Sequence, residues 1–411
     1  MKWKSQLMQI KQKVLQISEY WYIGMLVILT VHRILVFACL DIVWADLGKG
    51  IPVFQFLVYH FLLNPNKVLF ILVLIRHICA EKYDVKEILC AVTIYYITAH
   101  AMEVNHYDNV MTMVLLMLGA WGISFQKLIR IYFITVCVIV AEVVLASQFG
   151  FIENMMYQFD GRKVQMAFGF SYPTRFASHV FFLILWYWFL RDFRLKYAEA
   201  AIPVAAGFFV WFFCDARMNV VCLFSLAAVM IWQTYSYRKA GNNAACYREN
   251  SLLTGALALS PVIASAMITV LTVVYTPDHT LLQRLNVFIS NRLSLTQKVI
   301  DIHGVHPWGK WIRLAGNGGF VTGNVKYLYI DSAFMQFSIQ YGLVILVMLL
   351  ALFCFIGIRG RRNGNSVLLW ILMFVSLHAI IEPQLIELQY CPLLFAAFAD
   401  LQKGETGGSW L

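Results

Sequence analysis

The side chains best suited to chemistry are concentrated in one polar stretch of the sequence, between Arg284 and Asp331. This stretch holds Arg284, Arg292, Arg313, Lys298, Lys310, Lys326, His303, His306, Asp301 and Asp331. A simple connection between two apolar segments needs none of these groups. We therefore interpret the stretch as part of a functional site, carried by a loop that spans 276–332.

Arginine outside the apolar segments indicates a bound phosphate or diphosphate. Its planar guanidinium grips two oxygens at once, which a lysine does not. The candidates for a diphosphate site are Arg162, Arg175, Arg217 and Arg292. Two alternatives stay open: Arg175 only reaches the membrane interface from its helix end, or Arg217 only pairs with Asp215 in a tight turn.

A carboxylate or an imidazole would have to accept a proton at such a site. Asp331 is the first candidate, followed by His306 and then His303. Alternatively, Asp331 caps the helix that follows it, and the two histidines are merely solvated. For Glu382, near the end of an apolar run, pairing inside the protein is the favoured interpretation.

The start of the polar stretch has the apolar spacing of a helix that lies at the membrane interface. In LLQRLNVFISNRLSL, Arg284 and Arg292 are eight residues apart, which predicts that they share one helical face. The glycines that follow predict a turn-rich loop rather than a helix: Gly304, Gly309, Gly316, Gly318 and Gly319.

Composition indicates the class of protein that must position these groups. Of 411 residues, 61% are hydrophobic and only 13% are charged, whereas soluble proteins carry about a quarter charged residues. The chain is therefore predicted to be an all-α polytopic membrane protein, with 1–411 as a single membrane domain. The net charge of +10 is attributed to membrane topology and anionic headgroups rather than to nucleic acid.

About twenty apolar residues are needed to span a bilayer, and the sequence offers about twelve such segments. They are predicted at 20–42, 52–76, 87–104, 108–124, 129–149, 173–190, 198–214, 218–234, 252–275, 333–357, 366–382 and 385–400. The second is interrupted by Asn64-Pro65-Asn66, which predicts a bent or partly interfacial helix.

Lysine and arginine set the predicted orientation, since they accumulate in cytoplasmic loops. With twelve spans, the basic loops all fall on the side of the N-terminus, so both termini are expected in the cytoplasm and 276–332 outside. The nine cysteines lie in spans or in loops predicted to be inside, which makes disulfides and CxxC metal sites unexpected. No zinc-type spacing, glycosidase carboxylate pair or phosphate-binding glycine loop is evident.

Several segments, taken in order, resemble the Wzy-type polysaccharide polymerases of Gram-positive bacteria, which are related to the O-antigen ligases. They are DGRKVQMAFGFSYPTRFASHVFF at 160–182, DARMNVV at 215–221, NRLSLTQKVIDIHG at 291–304, GNGG at 316–319 and YLYIDSAFMQFSIQYGL at 327–343. One departure is Ala216, where a serine or threonine is expected. It removes a hydroxyl at that position and leaves Arg217 in place.

The resemblance implies a GT-C-like glycosyltransferase fold in the cell membrane and an active site on its outer face. Donor and acceptor would both be oligosaccharides linked to undecaprenyl diphosphate, and neither a cofactor nor a metal is implied. Membrane lipid, a flippase and a chain-length regulator are the further candidate partners. The alternatives are an O-antigen-ligase-like transferase, or a transporter of lipid-linked oligosaccharide or solute.

Overall fold

Helices make up 74% of the chain. The computed structural model describes residues 2–39, 52–79, 85–158, 163–192, 195–241, 249–316 and 328–402. The first eight helices are α1 Lys2–Val36, α2 Pro52–Val58, α3 Asn66–Cys79, α4 Val85–Asn105, α5 Asn109–Gly119, α6 Phe125–Gln148, α7 Pro173–Arg191 and α8 Ala201–Phe213. The others are α9 Arg217–Lys239, α10 Ser251–Ala258, α11 Ser260–Val274, α12 Thr280–Phe288, α13 Arg292–His303, α14 Ala333–Gln336, α15 Leu343–Arg362 and α16 Ser366–Ala379.

Within the described residues, strand structure is limited to a two-stranded antiparallel ribbon, β1 Met156–Tyr157 with β2 Gln165–Met166. This ribbon lies in the connection between α6 and α7, close to the candidate site described below. The chain is therefore all-α, as its composition predicts.

Four helices are long and apolar enough to cross a membrane, at Met8–Val36, Phe125–Gln148, Arg217–Lys239 and Leu343–Arg362. Two bent pairs raise the number to six if each pair is one span: Gln55–Leu63 with Asn66–Cys79, and Ser251–Ala258 with Ser260–Val274. Shorter apolar helices lie at Asn109–Gly119, Tyr197–Phe213 and Ser366–Ala379. These spans support a membrane protein, while the count of twelve stays a prediction.

The predicted interruption of the second span is confirmed. A π-helical turn, Tyr59–Leu63, ends at Asn64, and the helix axis bends by 72° before α3 begins at Asn66. Pro65 lacks a backbone N–H and restricts the conformation of the residue before it. The helix therefore cannot continue through this position without a break.

The last predicted span, 385–400, is wrong as a helix. After α16 the chain is buried but irregular, with one 3₁₀ turn at Leu393–Ala397. Irregular backbone at membrane depth must be satisfied by the protein itself. Arg359 of α15 does this by donating hydrogen bonds to the backbone oxygens of Ala396, Ala397 and Ala399 over 2.6, 2.7 and 3.0 Å. Pro383 and Pro392, each without an N–H, explain why no continuous helix forms here.

Two of the basic regions that the sequence predicts on one side of the membrane lie close together at one end of the helix bundle. Lys127, at the start of α6, pairs with Glu19 of α1 (Nζ to Oε1, 2.6 Å). Arg76, near the end of α3, donates to the backbone oxygen of Trp121, between α5 and α6, over 2.8 Å. The end of α3 therefore lies beside the segment between α5 and α6, and the topology stays a prediction.

The opposite end of α1 leads toward the candidate site. The backbone N–H of Ser171 donates to the oxygen of Phe37 over 2.9 Å, and that of Cys39 donates to Gly169 over 2.8 Å. These bonds tie the residues that precede α7 to the end of α1. The two ends of the bundle thus differ in character: one carries Arg76 and Lys127, and the other holds the cavity described next.

Candidate functional site

One cavity of about 160 Å³ lies where five separated segments meet. The segments are β2 with the start of α7, the start of α9, the break between α12 and α13, Asp331 just before α14, and the chain after α16. The lining residues are Gln165, Tyr172, Thr174, Asp215, Ala216, Arg217, Met218, Val221, Phe288, Ile289, Ser290, Arg292, Asp331, Ile381 and Glu382. Three of the predicted site residues, Arg217, Arg292 and Asp331, therefore share one cavity.

The break between α12 and α13 positions Arg292 as the first residue of α13. Ser290 and Asn291 both adopt left-handed backbone conformations, with φ of 60° and 63°. Two consecutive residues of this kind cannot belong to a right-handed helix. The prediction that Arg284 and Arg292 share one helical face is therefore wrong, because the two arginines lie on different helices.

Asn286, a residue that the sequence did not single out, holds this break together. Its side chain is 1% exposed. Its Oδ1 accepts hydrogen bonds from the backbone N–H groups of Leu293 (3.1 Å) and Ser294 (3.3 Å), which lie in the first turn of α13. Its Nδ2 donates to the hydroxyl of Tyr275 over 3.0 Å. One buried amide thus fixes the start of α13 against the end of α11.

Arg292 is surrounded by acceptors. Its Nε lies 3.5 Å from Oδ2 of Asp331, and its Nη2 lies 3.2 Å from Oε1 of Glu382. Its Nη1 also donates to the backbone oxygen of Ile381. The side chains of Arg292, Asp331 and Glu382 are 19%, 12% and 5% exposed. Because water has little access to these three side chains, their ion pairs are stronger than pairs on the surface, and removal of one partner is costly.

Asp331 faces the cavity from the residue before Ser332, which occupies the N-cap position of α14. The alternative in which Asp331 only caps this helix is therefore wrong. Burial raises the pKa of Asp331, and the positive charge of Arg292 opposes that rise without cancelling it. A carboxylate with a raised pKa is better suited to accept a proton near neutral pH than an ordinary aspartate.

Arg217 approaches the same cavity from the first turn of α9. Its Nε lies 4.0 Å from Oδ1 of Asp215, and 45% of its side chain is exposed. Asp215 is in turn fixed by Nε2 of Gln165, which donates to its Oδ2 over 3.3 Å. Within the described part of the chain, the terminal nitrogens of Arg217 have no hydrogen-bond partner. Arg217 thus has donors available to a ligand, whereas Arg292 is largely engaged by protein groups.

Arg175 does not line the cavity, although its neighbour Thr174 does. Its guanidinium carbon lies 3.8 Å from the centre of the Phe37 ring, a cation–π contact. A second, smaller cavity beside Phe37 is lined by Arg33 and Glu387. The structure therefore places Arg175 in a neighbouring polar cluster rather than with Arg217 and Arg292. Arg162 lies outside the described residues.

The two histidines also lie away from the cavity. His303 ends α13, about 17 Å along the helix from Arg292 at 1.5 Å per residue. The ring of His306 is exposed and hydrogen bonds through Nε2 to the backbone oxygen of His303 over 2.9 Å. Partial burial and the nearby Lys310 lower the pKa of His303. Among the proton acceptors predicted from sequence, the structure brings only Asp331 next to an arginine of the cavity.

The cavity has a mixed charge. Two guanidinium groups, Arg217 and Arg292, face three carboxylates, Asp215, Asp331 and Glu382. A bound diphosphate would add negative charge to this group and would favour protonation of the buried Asp331. No group of three or more His, Cys, Asp or Glu side chains suited to a metal ion is found among the described residues; the absence of a metal stays a prediction.

Glu382 is the residue that sequence reasoning missed as part of the site. Pairing inside the protein was the expected role, and Glu382 does pair with Arg292, but it pairs inside the cavity. A signal was present, because charged residues at membrane depth are costly and are often functional.

Comparisons of the chain with protein-family models, with curated proteins and with solved structures give no match.

Proposed function

We propose that the protein is a membrane glycosyltransferase that polymerises oligosaccharide repeat units carried on undecaprenyl diphosphate. The observation that carries this proposal is the meeting of Arg217, Arg292 and Asp331 in one cavity, at the end of the bundle opposite the basic loops. Guanidinium groups beside a proton acceptor are what a diphosphate leaving group and an attacking hydroxyl require.

In the proposed reaction, a hydroxyl of the acceptor glycan attacks the anomeric carbon of the donor glycan. The bond between that carbon and the diphosphate oxygen breaks, and undecaprenyl diphosphate leaves with the electron pair. Asp331 takes the proton from the attacking hydroxyl. The product is a longer glycan on the acceptor's lipid, so atoms and charges balance without a cofactor or a metal ion.

Arg217 and Arg292 have different proposed roles. Arg217, whose terminal nitrogens have no hydrogen-bond partner among the described residues and whose side chain is 45% exposed, binds the diphosphate directly and stabilises the charge that grows on it as the bond breaks. Arg292 holds Asp331 and Glu382 in position, and its positive charge faces the same cavity. Arg162 stays a candidate ligand from the segment between β1 and β2.

The proposed location is the cell membrane, with both termini in the cytoplasm and the cavity on the outer face. Lys127 and Arg76 lie at the other end of the bundle, and the basic end of α15 is joined to them, because Arg359 bonds to Ala399 and the next residue, Asp400, bonds to Ile123 and Phe125 before Lys127. This arrangement supports the proposed orientation. Lipid-linked repeat units reach the outer face after translocation, so a flippase and a chain-length regulator are proposed partners.

The proposal is tested with purified protein in lipid nanodiscs, supplied with repeat units linked to undecaprenyl diphosphate. A ladder of longer lipid-linked products supports the polymerase. Transfer of glycan only onto a different acceptor would instead indicate the ligase-like alternative. If no product forms with any acceptor while labelled lipid-linked oligosaccharide crosses a sealed vesicle membrane, the protein is a transporter and the proposal is wrong.

A further inference from the structure

The lining of the cavity is chemically mixed. Its polar members besides the charged cluster include Gln165, Tyr172 and Thr174. Its apolar members are Met218, Val221, Phe288, Ile289 and Ile381. Two arginines, Arg217 and Arg292, line the same cavity. An occupant that satisfies this lining must itself be amphiphilic and carry an anionic group.

Two of the apolar lining residues are also exposed at the protein surface. Val221 on α9 is 48% exposed, Phe288 at the end of α12 is 63% exposed and its neighbour Val287 is 57% exposed. α9 is one of the helices that can cross a membrane by length and composition. An exposed apolar side chain on a membrane-spanning helix contacts acyl chains rather than water, which favours an opening toward the bilayer at Val221.

The apolar residues are close in sequence to the arginines. Val221 lies four residues after Arg217, about one helical turn along α9. Phe288 lies four residues before Arg292, across the break that Asn286 fixes. The helices themselves have different neighbours, since α9 packs on α7, α8 and α16 while α12 packs on α13. Val221 and Phe288 therefore face one cavity from two separately anchored helices.

We propose that Val221 and Phe288 form a lateral portal through which the isoprenoid chain of the lipid diphosphate leaves the cavity into the bilayer. The glycan then extends along the hydrogen-bonded pair Gln165 and Asp215. This inference rests on the proposed function, because it assigns the direction of the two ends of its substrate. The lipid would thus pass between α9 and α12, the helices that carry Val221 and Phe288.

The portal is tested by photocrosslinking, with p-benzoylphenylalanine introduced at Val221 or Phe288. Each variant is placed in phosphatidylglycerol nanodiscs with ³²P-labelled undecaprenyl diphosphate. Matched controls carry the same group at Val138 of α6 and Val270 of α11, which are 49% and 58% exposed. We expect labelled adducts at positions 221 and 288 to exceed those at the controls about tenfold, and to be suppressed by unlabelled undecaprenyl diphosphate but not by added phosphatidylglycerol.

Equal labelling at all four positions would overturn the portal, because the lipid would then meet the protein without selection. So would suppression by phosphatidylglycerol, which would indicate a general lipid surface. The outcome is separable from that of the polymerase assay. Polymer synthesis without selective crosslinking contradicts the portal alone, whereas selective crosslinking without any glycan transfer contradicts the reaction and leaves the binding route standing.

A second measurement does not depend on the photoreactive group. Phe288→Asn introduces an amide into the portal, and Ile302→Asn makes the same change at an equally exposed position (63%) at the far end of α13. Loss of one large apolar contact weakens lipid binding, so KM for the lipid-linked substrate should rise about tenfold in Phe288→Asn. Ile302→Asn should keep the parental KM, and an equal rise in both variants would contradict the portal.

Discussion

Arg292 donates a hydrogen bond from Nη2 to Oε1 of Glu382 over 3.2 Å, although ninety residues of chain separate the two. The contact joins the first residue of α13 to the irregular segment that follows α16. Both side chains are mostly buried, and Asp331 approaches the other edge of the same guanidinium. Arg292 therefore holds two acidic groups, Asp331 and Glu382, in one cavity.

Glu382→Gln should lower kcat without raising KM for the lipid-linked repeat unit. Glutamine keeps an oxygen for Arg292 but removes the charge that orients it, so we expect kcat to fall about tenfold, the equivalent of about 1.4 kcal/mol. KM should not rise, because loss of the Glu382 charge weakens the repulsion between the cavity and a bound diphosphate. Steady-state kinetics on lipid-linked repeats check this split, and a tenfold rise in KM with kcat unchanged would contradict a positioning role.

Arg292→Ala should lose activity about a hundredfold or more and should also destabilise the protein. The change leaves Asp331 and Glu382 without their shared cation, and such an unpaired buried charge costs about 3–5 kcal/mol. Arg292→Lys should recover part of the activity, since a point charge cannot reproduce the planar fork. The measurements are polymerisation rate and melting temperature.

Lys298→Ala provides the control for Arg292, because Lys298 is exposed on the same helix. We expect it to retain a rate within a few-fold of the parent and an unchanged melting temperature. If Arg292→Ala does not fold, the activity of Arg292→Lys still tests whether the guanidinium contributes to catalysis. A fully active, fully stable Arg292→Ala would show that this arginine has no part in the site.

The elements of this site could be predicted from sequence better than their assembly. Arg217, Arg292 and Asp331 stood out because charged residues are costly in an apolar chain and these follow or precede apolar runs. Their meeting could not be predicted, because it depends on how helices far apart in sequence pack. Arg175 shows the limit, since it is just as unusual in sequence but packs on Phe37 outside the cavity.

Breaks in the helical backbone could not be predicted from apolar periodicity either. The apolar spacing from Leu285 to Leu295 fits one helix, yet Ser290 and Asn291 interrupt it. The stabilising group is the buried side chain of Asn286, whose partners include residues on two other helices. The last apolar run, 385–400, likewise has the composition of a span, but it forms only short turns, and Arg359 satisfies three of its backbone oxygens. Tertiary hydrogen bonds decided both cases.

Arg217→Ala should reduce kcat/KM by about 10- to 100-fold. Arg217 offers the terminal nitrogens that a diphosphate can reach, and loss of one such donor typically costs about a hundredfold in rate, less where it is partly exposed. Arg284→Ala is the matched control, because Arg284 is exposed on α12 and does not line the cavity. Equal losses in both variants would point to general electrostatics rather than to a bound diphosphate.

Opposite ends of the bundle should differ in access to a membrane-impermeant thiol reagent. In a cysteine-free background, a single cysteine at Lys310 should react on intact protoplasts, because its loop lies toward the cavity end. A single cysteine at Arg362, at the basic end of α15, should react only after permeabilisation. The reverse pattern would place the cavity in the cytoplasm and remove the basis for an outer-face reaction with translocated lipid.

The pH–rate profile should have an acidic limb that is due to Asp331. This limb should lie at a different pH for kcat than for kcat/KM. Burial raises the pKa of Asp331 in the free protein, so kcat/KM should fall as pH decreases through a value above the ordinary aspartate range. A bound diphosphate adds a nearby negative charge, which disfavours the ionised carboxylate and raises this pKa further. The limb of kcat should therefore lie at higher pH than that of kcat/KM.

The sign of this effect follows from the role of Asp331 as a base, because only its ionised form accepts the hydroxyl proton. Asp331→Asn should lower the rate at least a hundredfold and remove the limb from the remaining activity. His306→Ala should keep the limb, since the exposed His306 ring bonds to His303 outside the cavity. Full pH–rate profiles of the three proteins check this. If the limb survives in Asp331→Asn and disappears in His306→Ala, the proton acceptor is the histidine, and the cavity around Arg292 does not contain the catalytic base.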